Sequence, residues 1–143
     1  MEIRIFKPTD YTAVLNLWTS TPGVGLRSLD DSEEGIRRFL ARNPTTCFVA
    51  EEHRTLCGSV MSGHDGRRGF IYHACVHPDY RRKGIGSALV ENALSALNTE
   101  GVTRAALTCF ADNEAGRRFW ESEGWSLRKD IVYYDMPVNA NNI

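Results

Sequence analysis

The chain has 143 residues, about one domain's worth and long enough to bury a core. Hydrophobic residues make up 42% and charged residues 24%, and the net charge is −1, so no global field draws the protein to nucleic acid or to a membrane and any anion binding has to be local. No window reaches the roughly 18 unbroken apolar residues of a membrane span, and Met1-Glu2-Ile3-Arg4-Ile5-Phe6 lacks the apolar core of a signal peptide, so a cytoplasmic location is expected.

In chain order, Glu2 to Phe6 alternates polar and apolar residues as a half-buried strand does. Pro8-Thr9-Asp10 offers a helix cap, and Tyr11, Val14, Leu15, Leu17 and Trp18 recur at helical spacing. Thr19 to Leu29, with Pro22, Gly23 and Gly25, is a loop, and Asp31-Ser32 starts a second helix with Ile36, Phe39 and Leu40 on one side. Thr46 to Glu52 and Leu56 to Ser62 read as strands joined at His53-Arg54-Thr55; Asp65-Gly66 marks a tight turn into a fourth strand, Gly69 to Val76. Ile85, Ala88, Leu89, Ala93, Leu94 and Leu97 form the apolar stripe of a helix ending at Gly101. Val102 to Phe110 is expected as a fifth strand and Asn113 to about Gly124 as a helix. Trp125 to Leu127 and Asp130 to Met136 are expected as a closing pair of strands, and Val138 to Ile143 as a frayed tail. One domain over 1–143 follows, with no internal repeat, low-complexity tract or linker.

Cys47, Cys57, Cys75 and Cys109 fall singly in strand-like runs and read as reduced, mostly buried thiols, with packing favoured over a nucleophilic role even for Cys75. His53, His64 and His77 make no metal-ligand spacing with Cys, Asp or Glu, so no metal site is expected.

The rest of the chain is organised around Tyr72 to Glu91. A β-prone run is cut by Pro78, turns through Arg81, Arg82 and Lys83 and through Gly84 and Gly86, and becomes an amphipathic helix. The first N–H groups of a helix are unpaired and carry partial positive charge, so an anion set there gains several hydrogen bonds at once. The glycines let the backbone approach the anion, and the three cations add charge-assisted donors.

Arg81-Arg82-Lys83-Gly84-Ile85-Gly86 resembles the R/Q-x-x-G-x-G/A signature of the GNAT superfamily of acetyl-CoA-dependent N-acetyltransferases. Val76 and Pro78 sit where that family's V-x-P segment ends its fourth strand, and Asn113 to Trp125 is similar to its N-x-x-A-x-x-x-Y-x-x-x-G-F segment. Ser62 to Phe70 resembles the hairpin of a subgroup of small bacterial members. The resemblance covers most of the chain and implies an α/β fold of the α+β type, three layers deep, with a mixed sheet of about six to seven strands and helices on both faces.

It also implies a cofactor site for acetyl-CoA, the acetyl donor. By position, Ala74 and Val76 would offer free backbone groups to the pantetheine arm, with the Ala74 N–H facing the acetyl oxygen. Pyrophosphate would rest on the N–H groups from Arg82 through Gly84, Ile85 and Gly86 to Ser87, beside Arg81 and Lys83. Asn113 would be a further cofactor contact, although an Asn before a helix serves equally as a plain N-cap. The position where many members carry a Tyr acid is Trp120, expected to pack against the pantetheine arm, and the positions where some carry a Glu base are Phe70 and Thr108. Tyr72, sharing strand parity with Ala74, is the substitute offered for the proton-transfer role. His73 could also exchange protons near neutral pH, but no sequence neighbour would orient it. Tyr133 and Tyr134 on the closing strands are within possible reach of the pocket, one of them outward by alternation.

The leading reading is therefore an acyltransferase moving acetyl to a primary amine, either a small molecule or a protein or peptide. A CoA-binding regulatory module without turnover is the alternative, since the Tyr and Glu are missing. A nucleic-acid or nucleotide binder using Arg67, Arg68 and Arg81 to Lys83 is disfavoured by the net charge of −1 and the lack of an aromatic-basic stripe. The acceptor and the oligomeric state, with a homodimer among the possibilities, are left open. Glu51, Glu52 and Asp65 are the carboxylates that could attract a cationic amine.

Overall fold

Strand β1 (Glu2–Ile5), helix α1 (Tyr11–Thr19) and helix α2 (Glu33–Arg42) open the chain in the computed structural model, which describes residues 1–143. They are followed by β2 (Phe48–Glu52), β3 (Thr55–His64), β4 (Gly69–Val76), helix α3 (Ile85–Thr99), β5 (Ala105–Leu107) and helix α4 (Glu114–Ser122). The strands form one sheet in the order β1-β2-β3-β4-β5, antiparallel except for the parallel pair β4 and β5. The sheet is thus mixed, as expected.

Alternation along the strands splits the core into two layers. Val49 and Met61 join Phe6, Val14, Trp18, Ile36 and Leu40 under α1 and α2. Ala50, Val60 and Ile71 join Ile85, Leu89, Ala93 and Leu97 under α3, and Trp120 of α4 packs against the same cluster. Local chemistry fixes the helix ends. Ser32 Oγ accepts from the Gly35 N–H at 3.0 Å and caps α2, whose first turn carries Glu33 and Glu34 and whose last turn carries Arg42, all favourable to the helix dipole. Helix α3 closes with Val102 N–H donating back to Leu97 O at 3.0 Å. Val102 is therefore spent on the helix end, and β5 begins only at Ala105, shorter than the strand expected over Val102 to Phe110.

Two segments depart from the sequence reading. The closing pair of strands does not form, and the sheet has five strands rather than six to seven. Ile131, Val132, Tyr133, Tyr134 and Met136 are exposed: with apolar residues at successive positions, no single face is selected for burial, and three-residue β5 offers little edge to pair with. The tail is not frayed. Asn142 Oδ1 accepts from the Leu29 and Asp30 N–H groups, its Nδ2 donates to Asp30 at 2.8 Å, and Ser28 N–H donates to Ile143 O at 2.7 Å. These bonds strap the chain end across the loop between α1 and α2. No helix is long and apolar enough to cross a membrane.

Candidate active site

The site begins where β4 and β5 part. Their pairing runs from Gly69↔Ala105 to Ile71↔Leu107 and stops, so the second half of β4 is paired with β3 alone and has no strand on its β5 side. His77 N–H donates to Cys57 O at 2.8 Å, and Val76 lies opposite Gly58. By antiparallel alternation, the Val76 N–H and C=O then face away from β3, into the opening. The guanidinium of Arg81 reaches back to that carbonyl, Nε to O 3.3 Å. Across the opening, the loop between α1 and α2 comes close to the start of α4. A Cβ on Gly23 would lie 2.9 Å from Asn113 Nδ2, and one on Gly25 would lie 2.8 Å from the Phe110 ring.

The N-terminus of α3 lies at the end of the turn that follows β4. Its N-cap, Gly84, is left-handed at φ 78°, no side chain caps the helix, and the first bond back to Gly84 O comes from the Ala88 N–H at 3.1 Å. The N–H groups from Gly84 to Ser87 therefore have no helical partner, and a Cβ on Gly84 would meet nothing within 4 Å. Arg81 and Arg82 are exposed there, Arg82 itself left-handed at φ 63°. This is an open cradle of donors and positive charge, and it fits a pyrophosphate. The individual residues contribute differently. Ile85 is buried, so only its backbone faces the cradle. Gly86 is small because of Phe119, whose ring would stand 3.1 Å from an added Cβ. Lys83 turns aside: its Nζ lies 3.6 Å from Glu52 and 5.3 Å from the Tyr80 ring centre. Ser87 Oγ donates to Glu123 at 2.8 Å, tying α3 to α4.

Asn113 is an N-cap, its Oδ1 accepting from the Gly116 N–H at 3.0 Å, and its Nδ2 faces the α1–α2 loop. Trp120 sits edge-on between Phe119 and Trp125, ring centres 5.0 and 5.3 Å away. Phe70 stacks on Tyr72, and Thr108 lies beyond the end of β5, exposed.

The opposite face of β4 differs from the one that alternation predicts. Met61 pairs with Tyr72 but Ser59 pairs with Cys75, so two residues of β4 stand against one of β3. The bulge is at His73, whose φ of 47° is left-handed and costs about 1–3 kcal/mol for a residue with a Cβ. It reverses the parity: Ala74 packs with the α3 layer, whereas Cys75 packs with the α1/α2 layer and Tyr72 meets Phe39 of α2. The expectation that Tyr72 shares a face with Ala74 is thereby corrected. Burial, with lesser contributions from Tyr133 and Asp30, raises the Tyr72 pKa above its ordinary value. Tyr133 itself is exposed and lies on no strand. Burial pushes the Cys75 thiol up to about 11 and the Cys47 thiol up to about 12, and all four cysteines are free thiols.

His73 proves to have the orienting partner that no nearby residue could supply. Its Nε2 lies 2.7 Å from Asp31 Oδ1, 42 positions away, and its ring meets Trp18 edge-on at 4.7 Å. Asp31 Oδ2 accepts from the Arg27 N–H at 2.7 Å, and Asp31 O accepts from the Tyr11 hydroxyl at 2.7 Å. Behind the ring, Trp18 Nε1 donates to Ser59 Oγ at 2.9 Å and Ser59 Oγ donates to His73 O at 3.1 Å, so ring and backbone are held together. In the sequence Asp31 shares the predicted helix start with Ser32, and Ser32 fills that role alone, which leaves the Asp31 carboxylate free for His73.

The carboxylates suggested for attracting an amine are occupied otherwise. Glu51 takes Arg4 on β1, Glu52 faces Lys83, and Asp65 Oδ1 accepts from the Arg67 and Arg68 N–H groups in its turn. No group of three or more His, Cys, Asp or Glu side chains is gathered for a metal ion.

The sequence profile of the acetyltransferase (GNAT) family matches residues 11–125. An acetyltransferase of Pectobacterium atrosepticum is 41% identical over 115 residues, 80% of each chain. Among solved structures, Ard1 from Thermoplasma volcanium superposes with a TM-score of 0.78 at 21% identity, over 89% of this chain and 83% of that one. The PaiA N-acetyltransferase from Thermoplasma acidophilum, in complex with coenzyme A, superposes with a TM-score of 0.75 at 17% identity, over 90% and 92%.

Proposed function

The chain belongs to the acetyltransferase (GNAT) family, and on that premise we propose that it transfers acetyl from acetyl-CoA to a primary amine by direct attack on the thioester. The observation that carries this reading is the parting of β4 from β5 after Ile71↔Leu107, which opens a slot beside the uncapped N-terminus of α3. The coenzyme A complex of the PaiA neighbour supports the same donor here.

In this reading the N–H groups from Arg82 to Ser87, with Arg81 and Arg82, hold the pyrophosphate, and Ala74 and Val76 present backbone groups to the pantetheine arm. Bound there, acetyl-CoA supplies an activated acyl group. The Ala74 N–H faces the acetyl oxygen, and one backbone donor so placed is worth about 3 kcal/mol where negative charge develops. Lys83, its Nζ 3.6 Å from Glu52, contributes long-range charge rather than a contact. Asn113 keeps its cap and has Nδ2 to spare for the donor. Trp120 can supply no proton, so a leaving sulfur departs as thiolate, which a thiol of pKa about 8.5 permits.

The acceptor enters from the α1/α2 side, past Phe39, Phe70 and Tyr72. An aromatic wall with Asp30 close by suits a cationic primary amine on an apolar stem. A screen of polyamines, amino acids, aminoglycosides and peptide N-termini, read as thiol release from acetyl-CoA, tests the proposal. Transfer to one amine class supports it. Tight CoA binding with no transfer to any amine would favour the regulatory alternative, to which the Trp at 120 and the absence of Glu at 70 and 108 lend weight.

A further inference from the structure

We propose that His73 is the base that takes the proton from the acceptor amine, with Asp31 as its positioning residue; this rests on the acetyl-transfer reading above. An amine that reaches the protein as an ammonium has no lone pair and cannot attack. The residue that unmasks it has to stand on the acceptor side of the slot, next to the acetyl position, with an accessible basic atom.

His73 meets each condition. It directly precedes Ala74 in the chain, and the bulge sends its ring to the α1/α2 face while Ala74 stays on the α3 face. A regular strand would have placed at most one of Tyr72 and His73 on that side; the bulge places both there. A carboxylate can only accept, so the 2.7 Å contact puts the imidazole proton on Nε2 and leaves the lone pair on Nδ1. Nδ1 has no hydrogen-bond partner in the protein, and the imidazole side chain keeps 15% of its surface exposed. The ring is thus fixed in the tautomer that a base needs, with its basic nitrogen accessible.

Asp31 cannot swing away. The Arg27 N–H holds its second oxygen, the Tyr11 hydroxyl holds its carbonyl, and its side chain is only 8% exposed. The ionisable groups facing the ring or its immediate neighbours are Asp31 from the α1–α2 loop, Tyr11 from α1, and Tyr72 and Cys75 from β4 itself, with Asp30 acting on Tyr72 and Arg81 on Cys75.

The protons balance as follows. The ammonium loses two on the way to the amide: one to His73 Nδ1 and from there to solvent, the other to solvent or to the departing sulfur. The N–C bond forms as the C–S bond breaks, and the C–S electron pair leaves on sulfur.

Three variants test this, His73→Gln, His73→Ala and Asp31→Asn. Gln keeps an N–H for Asp31 but has no basic nitrogen. With the best amine from the screen, His73→Gln should lose at least about 100-fold in kcat, while calorimetric CoA affinity stays within about twofold of the parent. Added imidazole should restore part of the turnover of His73→Ala. Asp31→Asn should lower kcat more than it alters KM. In nitrogen NMR of the parent, without donor or acceptor, His73 should show a protonated Nε2 and a bare Nδ1, a preference that Asp31→Asn should weaken. Turnover of His73→Gln within about threefold of the parent, or an NMR signature with the proton on Nδ1, would overturn the assignment. A parent that binds CoA but acetylates no amine would instead overturn the acetyl-transfer reading on which it rests.

Discussion

The ring of Phe119 on α4 stands where a side chain on Gly86 would have to go, its Cε1 3.1 Å from the nearest Cβ position and its Cζ 3.2 Å. The first turn of α3 is thereby locked to α4, and through α4 to its N-cap Asn113. Gly86→Val should force Phe119 away and lower stability by about 1–3 kcal/mol. Gly84→Ala meets no atom within 4 Å and should lose only the left-handed preference, about 1–2 kcal/mol. Denaturant unfolding of the two variants measures these losses, and a CoA titration should separate them further, since only Gly86→Val displaces a neighbouring element.

Cys75 should be inert. Burial holds its thiol up at about 11, so at neutral pH the reactive thiolate is scarcer by about 100-fold than in an unfolded chain. The thiolate appears only as pH rises towards that value, so alkylation by iodoacetamide should be slow at pH 7 and speed up in alkali. Cys75→Ala should retain turnover, because direct attack needs no acyl-enzyme. Recovery of an acetyl thioester on Cys75 would contradict this.

Trp120 stands where the family resemblance implies an acid, and its indole packs against Phe119 and Trp125. Trp120→Phe should reduce kcat by less than about tenfold, since no proton is donated there. Trp120→Tyr should match or exceed the parent if the hydroxyl lands near the sulfur. A steep loss in Trp120→Phe with unchanged stability would show that the indole acts on the reaction directly.

The strap at the chain end makes a separate prediction. Asn142 Oδ1 takes the N–H groups of Leu29 and Asp30, next to Asp31. Asn142→Ala should speed hydrogen exchange at those two amides by about tenfold or more while leaving the sheet amides protected. Turnover should fall modestly, because Asp31 keeps its own bonds to Arg27 and Tyr11.

Much of the frame was legible from local pattern. Strand β4, Gly69–Val76, lies where the apolar run between Gly69 and Pro78 implied, and α2 starts at its Ser32 cap. The cradle could be read because its parts are contiguous: cations, glycines and helix start follow one another within Arg81 to Ser87. The His73–Asp31 pair could not, since 42 residues separate its members and the bulge that aims His73 depends on the register of β3 against β4. Tyr72 was misplaced for the same reason, because alternation holds only where no extra residue interrupts it. Residues Ile131 to Met136 have strong β propensity yet form no strand, which shows that propensity alone, without a partner edge and a face to bury, does not make a sheet. The tail looked frayed because its polar residues were counted as solvated, whereas Asn142 spends its amide on the loop.

The most direct test of the central claim is a calorimetric titration of acetyl-CoA into the parent protein and into Gly84→Glu, which puts a side chain and a negative charge into the cradle. The parent should bind one acetyl-CoA, more weakly as salt is raised, and Gly84→Glu should melt as a folded protein yet show no binding. A folded Gly84→Glu that binds acetyl-CoA as the parent does would contradict the placement of the cofactor at the N-terminus of α3, and a parent that does not bind acetyl-CoA at all would contradict the proposed function itself.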